Sequence, residues 1–296
     1  LRLMDRLGIW AQIMYPNAVG FSSNKMMSIA DPELRYQCLK IYNDAIADFQ
    51  AASGNRVFGQ ALLPFWDREL TVKEAQRCVE ELKLTGFTVA DKPETMGLPP
   101  YDAPHWEPFW EFVNAARVPV NFHIGGSSGL DAFQMPWSSF GPQRKLAIAA
   151  TLFYMSNAAT IANFVLSGLF DKYPNLKLVS VESGIGWIPF VIEALEYQLD
   201  EMIPDECKHL QRRPKEYFRD HIYACFWFED YGPRAMIDII GAGNVLFETD
   251  FPHPTCLYPK AQEHIADVLQ GLDRDTRKKV LQDNAAQLYR LSIPAA

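Results

Sequence analysis

Four segments carry side chains able to hold a cation or move a proton. In Val120-Asn121-Phe122-His123-Ile124-Gly125-Gly126 the two-residue period of an extended chain sets Asn121 and His123 on one face, opposite Val120 and Phe122. The run from Val245 to Pro254 likewise aligns Leu246, Glu248 and Asp250, after which Pro252 and Pro254 fix the path of the chain. Leu178, Ser180 and Glu182 share a face just before the glycine-bearing turn Gly184-Ile185-Gly186, and Asp91-Lys92 closes a fourth apolar run. A histidine with two or three carboxylates is a ligand set for Zn²⁺, Mn²⁺ or Fe²⁺. An ion held this way lowers the pKa of bound water to about 7, and a neighbouring carboxylate or imidazole can then take the proton. Plainer explanations stand beside these: His123 as a core residue, Asp250 as a turn initiator, Glu182 as a cap at a helix N-terminus, and Asp91-Lys92 as a solvated pair. Glu248 resists one, because a carboxylate one pleat deeper needs a cation or hydrogen-bond partners.

The elements that must position these groups follow a β-then-α rhythm. Seven strands are predicted, at Gly8–Tyr15, Val57–Phe65, Gly86–Asp91, Val118–Ile124, Leu176–Ser183, Ile222–Phe228 and Val245–Asp250, most followed by a helix-length segment. Asp31-Pro32-Glu33 has the N-cap and first-turn proline of a helix start. Tyr15-Pro16-Asn17 stands where a nucleotide-binding sheet would carry a glycine-rich turn. The expectation is therefore a (β/α)₈ TIM barrel with its chemistry at the carboxyl ends of the strands, formed by residues 1–296 as one domain.

With 36 acidic against 28 basic residues and a net charge of −8, no basic patch is offered to a phosphate backbone, so nucleic acid is not an expected partner. Apolar stretches such as Ala147–Phe153 are short for a bilayer, so no membrane association is expected either. No basic segment followed by an apolar run opens the sequence, and no secretory signal is expected. Five scattered cysteines without a C-x-x-C motif point to reduced thiols and a cytoplasmic location.

The strings Val120–Gly125, Ser167–Leu176 with the following strand and turn to Trp187, Thr249–Pro254 and Asn284–Tyr289 resemble the amidohydrolase-related family of metal-dependent barrels. That family includes aminocarboxymuconate semialdehyde decarboxylase and related hydrolases and decarboxylases. The resemblance runs from Gly8 to Leu291. It implies that His123 and Asp250 are metal ligands and that Glu182 stands at the sixth-strand position, often a catalytic histidine in the decarboxylases. It also implies a first strand bearing two more ligands. Leu1–Leu7 leads into what matches the second strand, so strand one is expected to precede Leu1.

A carboxylate at position 182 can bridge two metals or act as a general base towards metal-bound water. The expected activity is accordingly a divalent-metal-dependent hydrolase of a carboxylic-acid derivative, with Glu182, Asp250 and His123 as catalytic and metal-binding residues and one or two ions of Zn, Mn or Fe. The alternatives are a metal-dependent non-oxidative decarboxylase (a lyase) of an aromatic or unsaturated acid, and a barrel that binds a ligand without catalysis. Tyr15, Phe65, Trp66 and Trp137 are expected to line the mouth for a small-molecule substrate; core packing is the other role open to them, and the favoured one for Trp187. His253 and Glu248 are expected to support the ligands from behind, and residues 126–142, with Phe133, Trp137 and Phe140, to form a lid or dimer contact. The resemblance implies a homodimer.

Overall fold

The computed structural model describes residues 1–127 and 137–293. All seven predicted strands form: β1 Gln12–Met14, β2 Val57–Gly59, β3 Phe87–Val89, β4 Val120–His123, β5 Leu178–Val181, β6 Ile222–Phe226 and β7 Val245–Phe247. Every strand pairing is parallel, and the order in space is the order in sequence. A bridge from Ala61 to Phe87 joins the β1–β2 pair to the five-stranded sheet. Helices on the outside make this the wall of a (β/α)₈ barrel.

The strands are shorter than predicted because side chains take over where the ladder stops. Before β1, for example, the Arg56 guanidinium donates to the Ile9 and Trp10 carbonyls at 3.0 and 2.7 Å, in place of a neighbouring strand. The helix starts follow the sequence signals closely. Asp31 accepts from the Glu33 and Leu34 amides at 2.9 and 3.0 Å to open helix Pro32–Ala52, and Asp67 does the same for helix Arg68–Glu80. Those two helices are clamped by Glu74, fully buried, which accepts from Asn43 and pairs with Arg77 at 2.8 and 2.7 Å.

Two apolar layers result. Val120, Phe122, Leu178, Ala224, Phe226 and Val245 face the helices in the larger core. Val179, Val181, Cys225 and Leu246 face the barrel axis, where Leu288 and Tyr289 of helix Asn284–Tyr289 join them beside Ile13 and Tyr15. Tyr289 donates to Asn121 at 2.5 Å from this position. Among the described residues β1 and β7 do not pair with each other, and these C-terminal side chains pack across the interior between them.

Between β4 and β5 the chain forms helices Pro142–Phe153, Asn157–Leu166 and Leu169–Lys172. Pro142–Leu166 together is a 25-residue helical stretch long and apolar enough to cross a membrane, which the short apolar runs in the sequence did not suggest. Its second half packs Ile161, Phe164 and Val165 into the main core.

A buried histidine gives the fold a predictable acid sensitivity. His221 is 1% exposed, stacks on Phe170 with ring centroids 4.4 Å apart, and donates from Nδ1 to the Leu176 carbonyl at 2.8 Å. Burial pushes its imidazole from 6.5 down to about 4. Above pH 6.5 the ring is neutral in both states and costs nothing; between 6.5 and 4 the unfolded chain binds a proton that the folded chain refuses, so stability falls. Urea midpoints measured across that window should show a loss on the order of 2 kcal/mol that His221→Phe largely removes. Equal pH slopes in the two proteins would assign the loss to other groups.

Candidate active site

Three strand ends deliver the site, and the backbone departs from regular pleating at two of them. On β4 the alternation holds: His123 and Asn121 turn inward while Val120 and Phe122 join the outer core. On β5 it does not carry through. Leu178 lies in the outer core and the Ser180 hydroxyl is bonded by Asn157 of an outer helix at 3.0 Å, so continued alternation would send Glu182 away from the axis. A left-handed conformation at Glu182, φ 57°, turns it back. Asp250, beyond β7, is also left-handed at φ 54°. Such conformations cost a non-glycine residue about 1–2 kcal/mol and gather at functional sites. The turn after Glu182 is anchored by Glu229, whose carboxylate accepts from the Ile185 and Gly186 amides at 3.0 and 2.8 Å.

His123 is 5% exposed. Its Nδ1–H donates to the Ile124 carbonyl at 2.7 Å, leaving Nε2 to face Glu182 Oε2 at 2.9 Å. In a neutral imidazole these are two electron-rich atoms in contact, and a proton or a cation must reconcile them. Glu182 Oε1 lies 3.8 Å from His253 Nδ1, which is 2.7 Å from Asp250 Oδ1, and one ligand atom from each of Glu182, Asp250 and His253 falls within 4.8 Å of the others. Below them Glu248 Oε2 accepts the Glu182 amide at 3.3 Å. Burial, then the Glu182 charge, raises the Asp250 carboxyl from 3.8 to about 6 despite His253 and His123. Burial, then Glu182 and Asp250, raises Glu248 well above the carboxylate range. Glu248 Oε1 and Asp250 Oδ2 are buried without a hydrogen-bond partner. Crowded carboxylates, orphaned oxygens and an imidazole lone pair suit a divalent cation, which Glu182, Asp250 and His123 would hold.

Two residues of the loop between β1 and helix Pro32–Ala52, Phe21 and Asn17, reach this cluster. The Phe21 ring stacks on His123, with centroids 3.8 Å apart and planes within 7°. The loop is fixed from beneath: the Ser22 hydroxyl donates to the Gly126 carbonyl, Ser23 to Leu63 at 3.0 Å, and Thr88 to the Phe21 carbonyl. Asn17 of the same loop contacts His253.

The structure thus brings together His123, Glu182, Asp250, Glu248 and His253, with His253 nearer the ligand atoms than a supporting place implied. The aromatic residues expected at the mouth are dispersed. Phe65 is 2% exposed and packs on Trp106 and Phe109 in the helix-facing core, because its side chain follows the outward face. Trp66 sits under the Arg35 guanidinium, and Trp137 is exposed beside Phe140. Tyr15 edges onto His123, but its hydroxyl is held by Asn121 and Tyr289. Of the lid segment, residues 128–136, including Phe133, lie outside the described residues. Asp91, rather than being solvated, is buried and accepts from the Ser127 amide and hydroxyl at 2.8 and 2.5 Å, tying β3 to β4. Phe21, Asn17 and Tyr154 were not anticipated; the Tyr154 hydroxyl is raised by burial and then by Glu182 and Asp250.

Comparison with known proteins agrees with this architecture. Gamma-resorcylate decarboxylase from Polaromonas sp. (strain JS666) is 30% identical over 302 residues, covering 99% of this chain and 86% of that protein. The 2-amino-3-carboxymuconate-6-semialdehyde decarboxylase of Dictyostelium discoideum is 23% identical, over 88% of this chain and 69% of that protein. A crystal structure of dihydroxybenzoic acid decarboxylase from Polaromonas sp. JS666, with bound manganese and the inhibitor 2-nitroresorcinol, superposes with a TM-score of 0.76 at 27% identity, covering 98% of this chain and 84% of that one. A family model described as amidohydrolase matches residues 6–291; with the barrel and its acidic, histidine-bearing mouth, the chain belongs to the amidohydrolase family.

Proposed function

We propose that this protein is a divalent-metal-dependent, non-oxidative decarboxylase of an aromatic carboxylic acid. The observation that carries the reading is the near full-length similarity to a decarboxylase, together with the fold shared with a manganese-bound decarboxylase, in a chain whose barrel mouth holds buried, uncompensated carboxylates. Glu182 in place of a histidine favours hydrolysis by itself. That preference yields here, since the relatives named above and the manganese-bound neighbour are decarboxylases.

The net change is ArCOO⁻ + H⁺ → ArH + CO₂: a ring-carbon to carboxyl bond breaks and a carbon–hydrogen bond forms. The protein must therefore exclude bulk water, hold the ring and supply one proton. A bound divalent cation supplies positive charge to offset the carboxylates and orient an anionic substrate. Glu182 and His123 fix one side of the site, with Phe21 stacked over the imidazole and shielding it. The proton is held between Asp250 Oδ1 and His253 Nδ1, 2.7 Å apart. The one-third-exposed His253 connects the pair to solvent for reloading. We further propose the homodimer expected above, with the exposed Trp137, Leu146 and Met155 as candidates for its contact.

Two outcomes test this. The purified protein should retain stoichiometric divalent metal after dialysis, and His123→Ala or Asp250→Asn should lower turnover by on the order of 10²–10⁴-fold with unchanged far-ultraviolet circular dichroism. Full activity in a chelated, metal-free preparation overturns the reading. On a panel of hydroxylated benzoates and matching esters, CO₂ release should appear with the free acids alone; ester cleavage without CO₂ release would restore hydrolysis.

A further inference from the structure

One histidine of the cluster has both ring nitrogens engaged by neighbours, and those neighbours decide whether it holds a cation or a proton. Asn17 Nδ2 lies 3.1 Å from His253 Nε2. An amide nitrogen donates and does not accept, so Nε2 contributes its lone pair and the proton of a neutral His253 ring resides on Nδ1. Nδ1 in turn meets acceptors only: Asp250 Oδ1 at 2.7 Å and Glu182 Oε1 at 3.8 Å. By distance alone His253 groups with Glu182 and Asp250 as a cation ligand. By hydrogen bonding it does not, because Nδ1 carries a proton and the Nε2 lone pair is already spent on Asn17. His123 is arranged the opposite way, with Nδ1–H tied to its neighbouring carbonyl and Nε2 free for the cluster.

We propose that Asn17 is a positioning residue that locks His253 in its Nδ1–H tautomer, making His253 the proton partner of Asp250 and excluding it from the cation ligands. The chain can hold Asn17 there because the loop that carries it is fastened to the barrel through Ser22, Ser23 and Thr88. The inference rests on the reading of Asp250 and His253 as the proton-bearing pair, but the tautomer is measurable without any reaction.

The test is a long-range ¹H–¹⁵N correlation spectrum of the full chain labelled at histidine, recorded without metal and with ¹¹³Cd²⁺, with His253→Gln identifying the resonances. Nδ1 of His253 should appear in the protonated range and Nε2 in the unprotonated range, and coupling to ¹¹³Cd should appear at His123 and not at His253. Asn17→Ala should shift both His253 nitrogens towards tautomer-averaged positions, and Asn17→Gln should restore part of the difference. An unprotonated Nδ1, ¹¹³Cd coupling at His253, or a spectrum indifferent to Asn17→Ala would overturn the proposal. Where a variant does not fold, the wild-type spectra, assigned through backbone correlations, still decide between proton partner and ligand. Absence of CO₂ release alongside the expected tautomer would defeat the decarboxylase reading while leaving this inference standing.

Discussion

Everything at the mouth of this barrel is organised around like charge held out of water. The Glu182 charge lies close enough to raise both Glu248 and Asp250, and Asp250 raises Glu248 further, an arrangement that costs several kilocalories per mole unless positive charge or hydrogen bonds offset it. The offsets among the described residues are partial: two imidazoles, one backbone amide and the Cys225 thiol, with no lysine or arginine in an ion pair with these three. Oxygens of two of these carboxylates therefore remain bare and buried. A cation held there completes the electrostatics.

Backbone strain is concentrated at the same place. Two of the non-glycine residues with left-handed backbone are the carboxylates themselves, Glu182 and Asp250. Neither lies in a paired strand, so the ladder below can remain regular while the last residue swings inward. Glu229 under the turn after Glu182, and the bond from Glu248 to the Glu182 amide, keep that swing in place.

The amino-acid pattern reveals the scaffold better than the site. Parallel strands buried on both faces read as β-branched and aromatic runs, and all seven were visible, with ends overestimated where side chains such as Arg56 replace a neighbouring strand. His123 and Glu248 were legible because pleat parity is a local property. Glu182 was legible as a residue type, but parity would have aimed it outward, and nothing in Val181-Glu182-Ser183 announces the reversal. Phe65 misled for the converse reason: a ring following a strand belongs to whichever layer has room, and the helix-facing aromatic cluster took it. Asn17 and Phe21 were invisible because their roles depend on contacts more than a hundred residues away, made by a loop without periodicity.

That loop has an implication for how the protein can change. Its serines and the underlying threonine grip backbone carbonyls, with one side-chain contact besides, from Ser22 to the Met96 sulfur at 3.8 Å, so most substitutions in its neighbours leave the grip intact. The ring of Phe21, stacked on His123, is then a cover whose size is set by one side chain. Descendants of this sequence can trade that side chain for a narrower or wider one, admitting differently shaped molecules, without renegotiating the path of the chain that carries it.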